Sequence, residues 1–323
     1  TLQVLASLYP ERYKAVQVET PAKGANKAHE DTDHYDVALQ WEYNLDNQED
    51  ELEDRSSFSK TSSLFLHIQK ENIKHLVKEY DYSAALEMAE GMQEVLSQKA
   101  FLYLKAAEKR NLLDIPGVQS LLGKDTKKFM PDIKENDCNI IEYLLNLKVK
   151  LLKKQYADYI RAITPVILDV FLSYLKNKFQ ITESMFCKRK KSGVWCLDNR
   201  TMLERAPWMF EIFKNAFTGG VDGKFLSSIH VKEIILYKET DEEVKDIVKK
   251  LRNVEEKVRN YAAHDIVSIT AETIRRDTSM SAERIYSLLE NLAERSGIQL
   301  KKTYKNSYEQ MNEMIIQEID VQC

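Results

Sequence analysis

Apolar residues recur at helical spacing along residues 241–264, and this pattern constrains the C-terminal half of the chain more than any other. The stripe consists of Val244, Ile247, Val248, Leu251, Val254, Val258 and Tyr261. At about 100° per residue these positions share one face, so the pattern predicts an amphipathic helix that packs against a core. Arg259, Asn260 and His264 lie near its end, and the same geometry places them away from the apolar stripe.

These three polar residues suit chemistry on a phosphodiester. A guanidinium such as that of Arg259 binds phosphate in a planar, two-pronged way. The imidazole of His264 can move a proton near neutral pH. Asn260 is four residues before His264, so the two are expected side by side. Spacing alone is equally compatible with a solvated helix face that carries an incidental histidine.

The composition indicates a soluble, mainly helical protein of two or three domains. Its 323 residues are 43% hydrophobic and 30% charged, with nine Gly and six Pro. No apolar run approaches the ~20 residues of a membrane span, and no secretory signal is visible. We therefore expect a cytoplasmic protein without a membrane partner. The chain opens on Thr1 within a helical pattern, which suggests that further residues precede it.

Cysteine spacing and charge distribution limit the kinds of ligand and partner that we expect. The four cysteines form no C-x-x-C pair, so no metal site is predicted and reduced thiols are expected. Residues 1–137 hold 17 Lys+Arg against 25 Asp+Glu, a net charge of −8. Residues 138–323 hold 30 against 26, a net charge of +4. The basic excess in the half with the Arg-Asn-x-x-x-His motif indicates an anionic partner there.

The N-terminal segment has the pattern of one α/β unit. A short helical pattern precedes the predicted strand at 14–18, and a polar loop follows at 19–27. Ligands of doubly wound sheets bind beyond the carboxyl ends of the strands, although a plain surface loop fits equally well. Residues 37–43 have strand character, and the acidic, serine-rich residues 49–63 predict an exposed linker.

Helical periodicity takes over from about Leu64. Residues 64–107 predict two or three helices without recognisable chemistry, and a loop around 116–123 follows. A second helical block is predicted from about Asn139, with a kink or break at Pro165.

Residues 181–197 interrupt the helical pattern. Two short runs, 182–187 and 193–197, flank the basic residues 188–191 and predict a β-hairpin. A solvated turn is the favoured interpretation of its basic tip, with contact to RNA as the alternative. Further helices are predicted over 202–217, 281–295 and 307–319.

Together these features resemble a known family. Arg259-Asn260-x-x-x-His264 looks like the signature of HEPN ribonucleases, and residues 15–26 look like the distal part of a CARF sensor domain. The helices between them, including residues 156–165, resemble those of the CRISPR-associated CARF–HEPN ribonucleases, ancillary effectors of type III-A systems. The front of the CARF fold, with its glycine-threonine loop, is expected before Thr1.

The resemblance implies the fold and its division. It implies a mainly α chain with an N-terminal α/β (Rossmann-like CARF) remnant, a helical linker domain and a C-terminal all-α HEPN domain with a small β-hairpin. We expect these domains at residues 1–55, 56–137 and 138–323.

The resemblance also implies an activator and partners. The expected protein is a homodimer that binds a cyclic oligoadenylate, with hexa-adenylate favoured over tetra-adenylate by analogy. Thr20, Lys23 and Asn26 are the candidate activator-binding residues. Single-stranded RNA is the implied substrate, and no metal, other cofactor or stable DNA partner is expected.

Metal-free RNA cleavage assigns a role to each motif residue. RNA carries its own nucleophile, the 2′-hydroxyl. His264 would transfer protons, Arg259 would hold the scissile phosphate and Asn260 would orient either group. The products would be a 2′,3′-cyclic phosphate and a 5′-hydroxyl. Because one chain offers one such set, two motif helices are expected to face each other across a two-fold interface.

Two other functions remain open at this point. One is a non-catalytic module that senses cyclic nucleotides or binds nucleic acid, and the other is a free-standing HEPN toxin. The intact motif argues against a scaffold, the lack of a helix-turn-helix pattern against a DNA-binding regulator, and the α/β segment against the toxin.

Overall fold

The computed structural model describes the backbone of residues 16–18, 56–58, 61–93, 95–130, 135–264, 268–300 and 302–321. Side chains are described for residues 66–93, 95–130, 138–257, 268–300 and 304–321. The chain divides into two compact units, residues 1–75 and 76–323. The predicted strand at 37–43 lies outside the described residues. None of the described helices is long and apolar enough to cross a membrane.

The N-terminal unit contains a pair of short strands. Strand β1 (Val16–Val18) is antiparallel to β2 (Ser56–Phe58), with Val16 opposite Phe58. The strand predicted at 14–18 is thus confirmed over its last three residues. The prediction that 49–63 is an exposed linker is wrong at β2. Ladder hydrogen bonds come from the backbone, so a serine-rich sequence can pair with an apolar strand.

Helices make up most of the described chain. In the first half they are α1 (Thr61–Lys78), α2 (Tyr82–Glu90), α3 (Gln98–Asn111), α4 (Ile115–Leu122), α5 (Thr126–Phe129), α6 (Glu135–Leu152) and α7 (Tyr156–Phe179). In the second half they are α8 (Asn199–Arg205), α9 (Pro207–Ala216), α10 (Ser228–Lys238), α11 (Glu242–His264), α12 (Ala271–Thr278), α13 (Ala282–Arg295), α14 (Lys302–Lys305) and α15 (Ser307–Asp320).

Helix α7 lies at the centre of the C-terminal unit, where it packs against α6, α10, α11 and α13. It runs continuously past Pro165, so the predicted break does not occur. An internal proline costs about 3 kcal/mol. Its neighbours Ile163, Val166 and Ile167 are almost fully buried, and each such side chain contributes roughly 1.5–3 kcal/mol. Tertiary packing therefore outweighs the lost hydrogen bond.

The predicted β-hairpin is present. Strands β3 (Cys187–Arg189) and β4 (Trp195–Leu197) are antiparallel, with Cys187 opposite Leu197. The first strand shares only Cys187 with the predicted run 182–187, because Glu183–Met185 form a 3-10 turn. It continues through Lys188 and Arg189, which were expected in the basic tip. Residues 223–226 extend the hairpin. The Leu226 N–H donates to the Trp195 carbonyl at 3.0 Å, and the Leu197 N–H donates to the Lys224 carbonyl at 2.9 Å.

Local turn chemistry changes two other predictions. The expected loop around 116–123 is largely helix α4, because Asp114 accepts a hydrogen bond from the Gly117 N–H at 2.9 Å and Pro116 occupies the first turn. The single helix predicted over 202–217 is two helices, since Pro207 starts α9.

Candidate active site

The Arg-Asn-x-x-x-His motif lies at the C-terminal end of α11, and the backbone is helical through His264. Positions 260 and 264 are therefore one turn apart on one face of a continuous helix. Side chains of α11 are described as far as Lys257, so those of Arg259, Asn260 and His264 lie beyond that limit.

The opposite face of α11 is anchored in the core. Its predicted stripe is confirmed for Val244, Ile247, Val248, Leu251 and Val254, each at most 3% exposed. Burying these five side chains contributes on the order of 10 kcal/mol of favourable free energy. The need to bury them sets the rotation of the helix about its axis. Position 260 then falls about 180° from the centre of this stripe, and position 264 falls within about 40° of position 260.

A buried carboxylate ties α11 to α10 just before the motif. Glu255 is 5% exposed and accepts a hydrogen bond from the Ser228 hydroxyl at the start of α10. Arg252 Nη1 lies 3.6 Å from Glu255 Oε2. A buried carboxylate is costly without partners, so these contacts hold the helix one turn before Arg259. The sequence carried a signal for Glu255: it follows Leu251 by four residues, inside the apolar stripe.

His230 on α10 belongs to the structural framework. The Ser227 N–H donates to its Nδ1 at 3.2 Å, and its ring packs against Phe213 and Phe217. Burial, together with the charge of Lys224, lowers the pKa of His230 to about 4. The imidazole is therefore neutral near pH 7 and serves to cap α10.

The other site predictions concern activator binding and metal binding. Thr20, Lys23 and Asn26 lie outside the described residues. In the described part of the chain, no three His, Cys, Asp or Glu side chains are close enough together to hold a metal ion.

Family comparisons match the chain along most of its length. The CARF-domain model of Csm6 matches residues 1–56 and the Csm6 6H-domain model matches residues 59–111. The Csm6 HEPN-domain model matches residues 129–316, which is more than half of the chain and includes α11. The chain belongs to the Csm6 HEPN-domain family. The resemblance drawn from the sequence is thereby confirmed.

Two relatives of this Csm6-family chain extend the comparison. The CRISPR system endoribonuclease Csm6 of Mycobacterium tuberculosis is 27% identical over 313 residues, covering 96% of this chain and 69% of the relative. The structure of Enterococcus italicus Csm6 bound to cyclic hexa-2′-fluoro-hexa-dAMP has a TM-score of 0.67 at 14% identity. That match covers 98% of this chain and 71% of the other.

The structural likeness confirms the predicted fold class. The chain is mainly helical, with a small antiparallel hairpin in its C-terminal part and an N-terminal segment that matches a CARF domain. The domain limits expected at residues 55 and 137 stay predictions.

Proposed function

We propose that this chain is an endoribonuclease that cuts single-stranded RNA without a metal ion, as part of type III CRISPR antiviral defence. The observation that carries the proposal is the Arg-Asn-x-x-x-His motif on a continuous helix inside the segment matched by the Csm6 HEPN domain. The name of the Mycobacterium tuberculosis relative supports the same reaction.

The proposed mechanism uses the 2′-hydroxyl of RNA as nucleophile. His264 transfers the proton that leaves the 2′-oxygen or the one that reaches the departing 5′-oxygen. Arg259 holds the scissile phosphate and stabilises the charge that builds on it, because a guanidinium offers two parallel N–H donors. Asn260 orients the imidazole or the phosphate. The fragments would end in a 2′,3′-cyclic phosphate and a 5′-hydroxyl.

We infer that the active unit is a homodimer. Positions 260 and 264 lie on the face of α11 opposite its own buried stripe. A second motif helix facing them across a two-fold axis would supply a second histidine and a second arginine. One imidazole can then accept a proton while the other donates one.

Control of this reaction is assigned to the N-terminal segment. We propose that a cyclic oligoadenylate binds there, through Thr20, Lys23 and Asn26. The match of residues 1–56 to a CARF domain and the cyclic ligand of the Enterococcus italicus structure support this class of activator. We favour cyclic hexa-adenylate over tetra-adenylate, and we place the activity in the cytoplasm.

A cleavage assay in EDTA tests the proposal. The purified protein is incubated with labelled single-stranded RNA alone, with cyclic tetra-adenylate or with cyclic hexa-adenylate, and fragment ends are identified by mass. We expect cleavage with the hexa-adenylate and fragments that end in a cyclic phosphate. No cleavage in any arm would contradict the proposal and favour a binding module. Equal cleavage without an activator would favour the free-standing toxin.

A further inference from the structure

Strand β3 and the tip of the β3–β4 hairpin carry a concentrated positive charge. Lys188, Arg189, Lys190 and Lys191 are all exposed, and residues 187–197 contain no acidic residue. The ion pair of Lys188 with Asp198 is weak, because Lys188 Nζ lies 4.0 Å from Asp198 Oδ1 and the lysine side chain is 70% exposed. The tip therefore presents a positive field that its own segment does not neutralise.

Aromatic rings lie among these cations. Phe225 is 64% exposed, and Lys190 Nζ lies 5.2 Å from the centre of its ring. The Arg189 guanidinium lies 5.8 Å from the ring centre of the half-buried Trp195. The Phe225 backbone is held opposite Cys196 beside β4. An exposed phenyl ring gives up roughly 1.5–3 kcal/mol of favourable burial free energy. Core packing therefore does not explain the position of Phe225.

We propose that this cationic hairpin surface binds the single-stranded RNA on which the proposed function rests. The surface consists of Lys188, Arg189, Lys190, Lys191, Trp195 and Phe225. Proteins hold single strands by combining cations that follow the phosphates with aromatic faces on which bases stack. An unpaired base can lie on Phe225, with Lys190 beside it to contact the neighbouring phosphate. A base inside a duplex is stacked on both faces and cannot do so.

The surface is tied to the motif helix by a short covalent and hydrogen-bonded path. Phe225 is three residues before Ser228, a span of at most ~11 Å. Ser228 donates to Glu255 on α11, and Glu255 precedes Arg259 by four helical residues, about 6 Å of rise. With the side-chain span from Ser228 to Glu255 included, the backbones of Phe225 and Arg259 are at most roughly 25–30 Å apart. A bound strand would need only a few more nucleotides to reach the motif.

Equilibrium binding in a His264→Ala background tests the surface separately from cleavage. The full-length protein is titrated against a labelled, unstructured RNA in EDTA, and anisotropy is read between about 50 and 200 mM salt. Lys190→Ala/Lys191→Ala is expected to weaken binding roughly tenfold and to reduce the salt slope by about one. Phe225→Ala is expected to weaken binding by about fivefold or more, with Phe225→Tyr restoring it, because tyrosine keeps the stacking face.

A charge-matched control uses two exposed lysines from other helices, Lys105 on α3 and Lys176 on α7. Lys105→Ala/Lys176→Ala removes the same charge and is expected to leave RNA affinity within about twofold, because neither lysine lies among aromatic rings of the hairpin. If both double variants weaken binding equally, the effect is net charge and the proposal is wrong. If the hairpin variants lower the dimer mass in sedimentation and leave affinity per dimer unchanged, the surface is a contact between copies.

Binding and cleavage fail independently in this design. In the catalytically intact chain, the hairpin variants are expected to raise KM more than they change kcat. If RNA affinity depends on Lys190, Lys191 and Phe225 but no cleavage occurs, the proposed function is contradicted and the proposed binding surface is supported. If the chain cleaves RNA but its affinity does not change when these residues are replaced, the proposed function is supported and the proposed binding surface is contradicted.

Discussion

Arg110 and Glu142 form a two-pronged ion pair in which neither side chain is exposed. Arg110 Nε donates to Glu142 Oε2 at 2.9 Å, and Nη2 donates to Oε1 at 3.0 Å. Nη2 also donates to the Ser307 hydroxyl at 2.7 Å, and the guanidinium lies 4.2 Å from the Tyr308 ring centre. One cation of α3 thereby joins α6 and α15. The C-terminal helix is thus fastened to the helices that precede α7.

Removing Arg110 is expected to destabilise the fold strongly. Arg110→Ala leaves the Glu142 carboxylate buried without its cation, which typically costs about 3–5 kcal/mol of unfolding free energy. Urea denaturation followed by circular dichroism measures the change. The adjacent Lys109→Ala serves as control. Both partners of its ion pair with Asp114 are exposed, so the expected loss of unfolding free energy is less than about 1 kcal/mol. Equal effects of the two substitutions would contradict the prediction.

Replacing His264 tests the assignment of the motif. His264→Ala is expected to lower the RNA cleavage rate by roughly a hundredfold to ten-thousandfold, because general acid–base catalysis contributes that much. His67→Ala, at an exposed position on α1, is the matched control and should cleave at the normal rate. Full activity of His264→Ala in a pure dimer would remove this residue from the mechanism.

Arg259 is expected to tolerate no cationic substitute. Arg259→Lys keeps the charge and loses the planar fork that binds two phosphate oxygens, so we expect a fall in kcat of at least about tenfold. Single-turnover kinetics at saturating RNA measure this step. A lysine variant that works as well as arginine would show that charge alone is needed at this position.

Glu255 is expected to act as a positioning residue for the motif helix. Glu255→Ala removes the anchor to Ser228, and a small displacement of a catalytic group can cost about a hundredfold in rate. Glu255→Gln keeps an oxygen that accepts from Ser228, so it should recover most of kcat. The neighbouring Glu256→Ala, exposed on the same helix, is the control. If glutamine fails as badly as alanine, the charge rather than the hydrogen bond matters.

His230 is expected to make the fold sensitive to acid. Its pKa of about 4 in the folded chain is below the ordinary value of 6.5, so the unfolded chain binds the proton more readily. Neutral His230 therefore contributes up to ~3 kcal/mol to the free energy of unfolding above pH 6.5. This contribution is lost as the pH falls from about 6.5 towards about 4. Urea melts of the original protein and of His230→Gln across this range measure the difference. Parallel pH profiles would contradict the prediction.

Local patterns were enough to predict the parts of this chain that depend on local geometry. The stripe from Val244 to Val254 predicted both the helix and its buried face. The basic residues between two short runs predicted the hairpin, although its first strand begins only at Cys187. Helical and strand periods follow from backbone geometry, so the sequence carries them directly.

Tertiary contacts decided the rest. Ser56–Phe58 became a strand because Val16–Val18 offered it a partner, and α7 continued through Pro165 because its neighbours are buried on several sides. The partners of Glu255 and Arg110 lie 27 and 32 residues away in the chain. By itself, the sequence determined which residues could do phosphodiester chemistry and that they share one helix end. Only the folded chain decided what anchors that helix, because the pairing of buried charges depends on which helices meet.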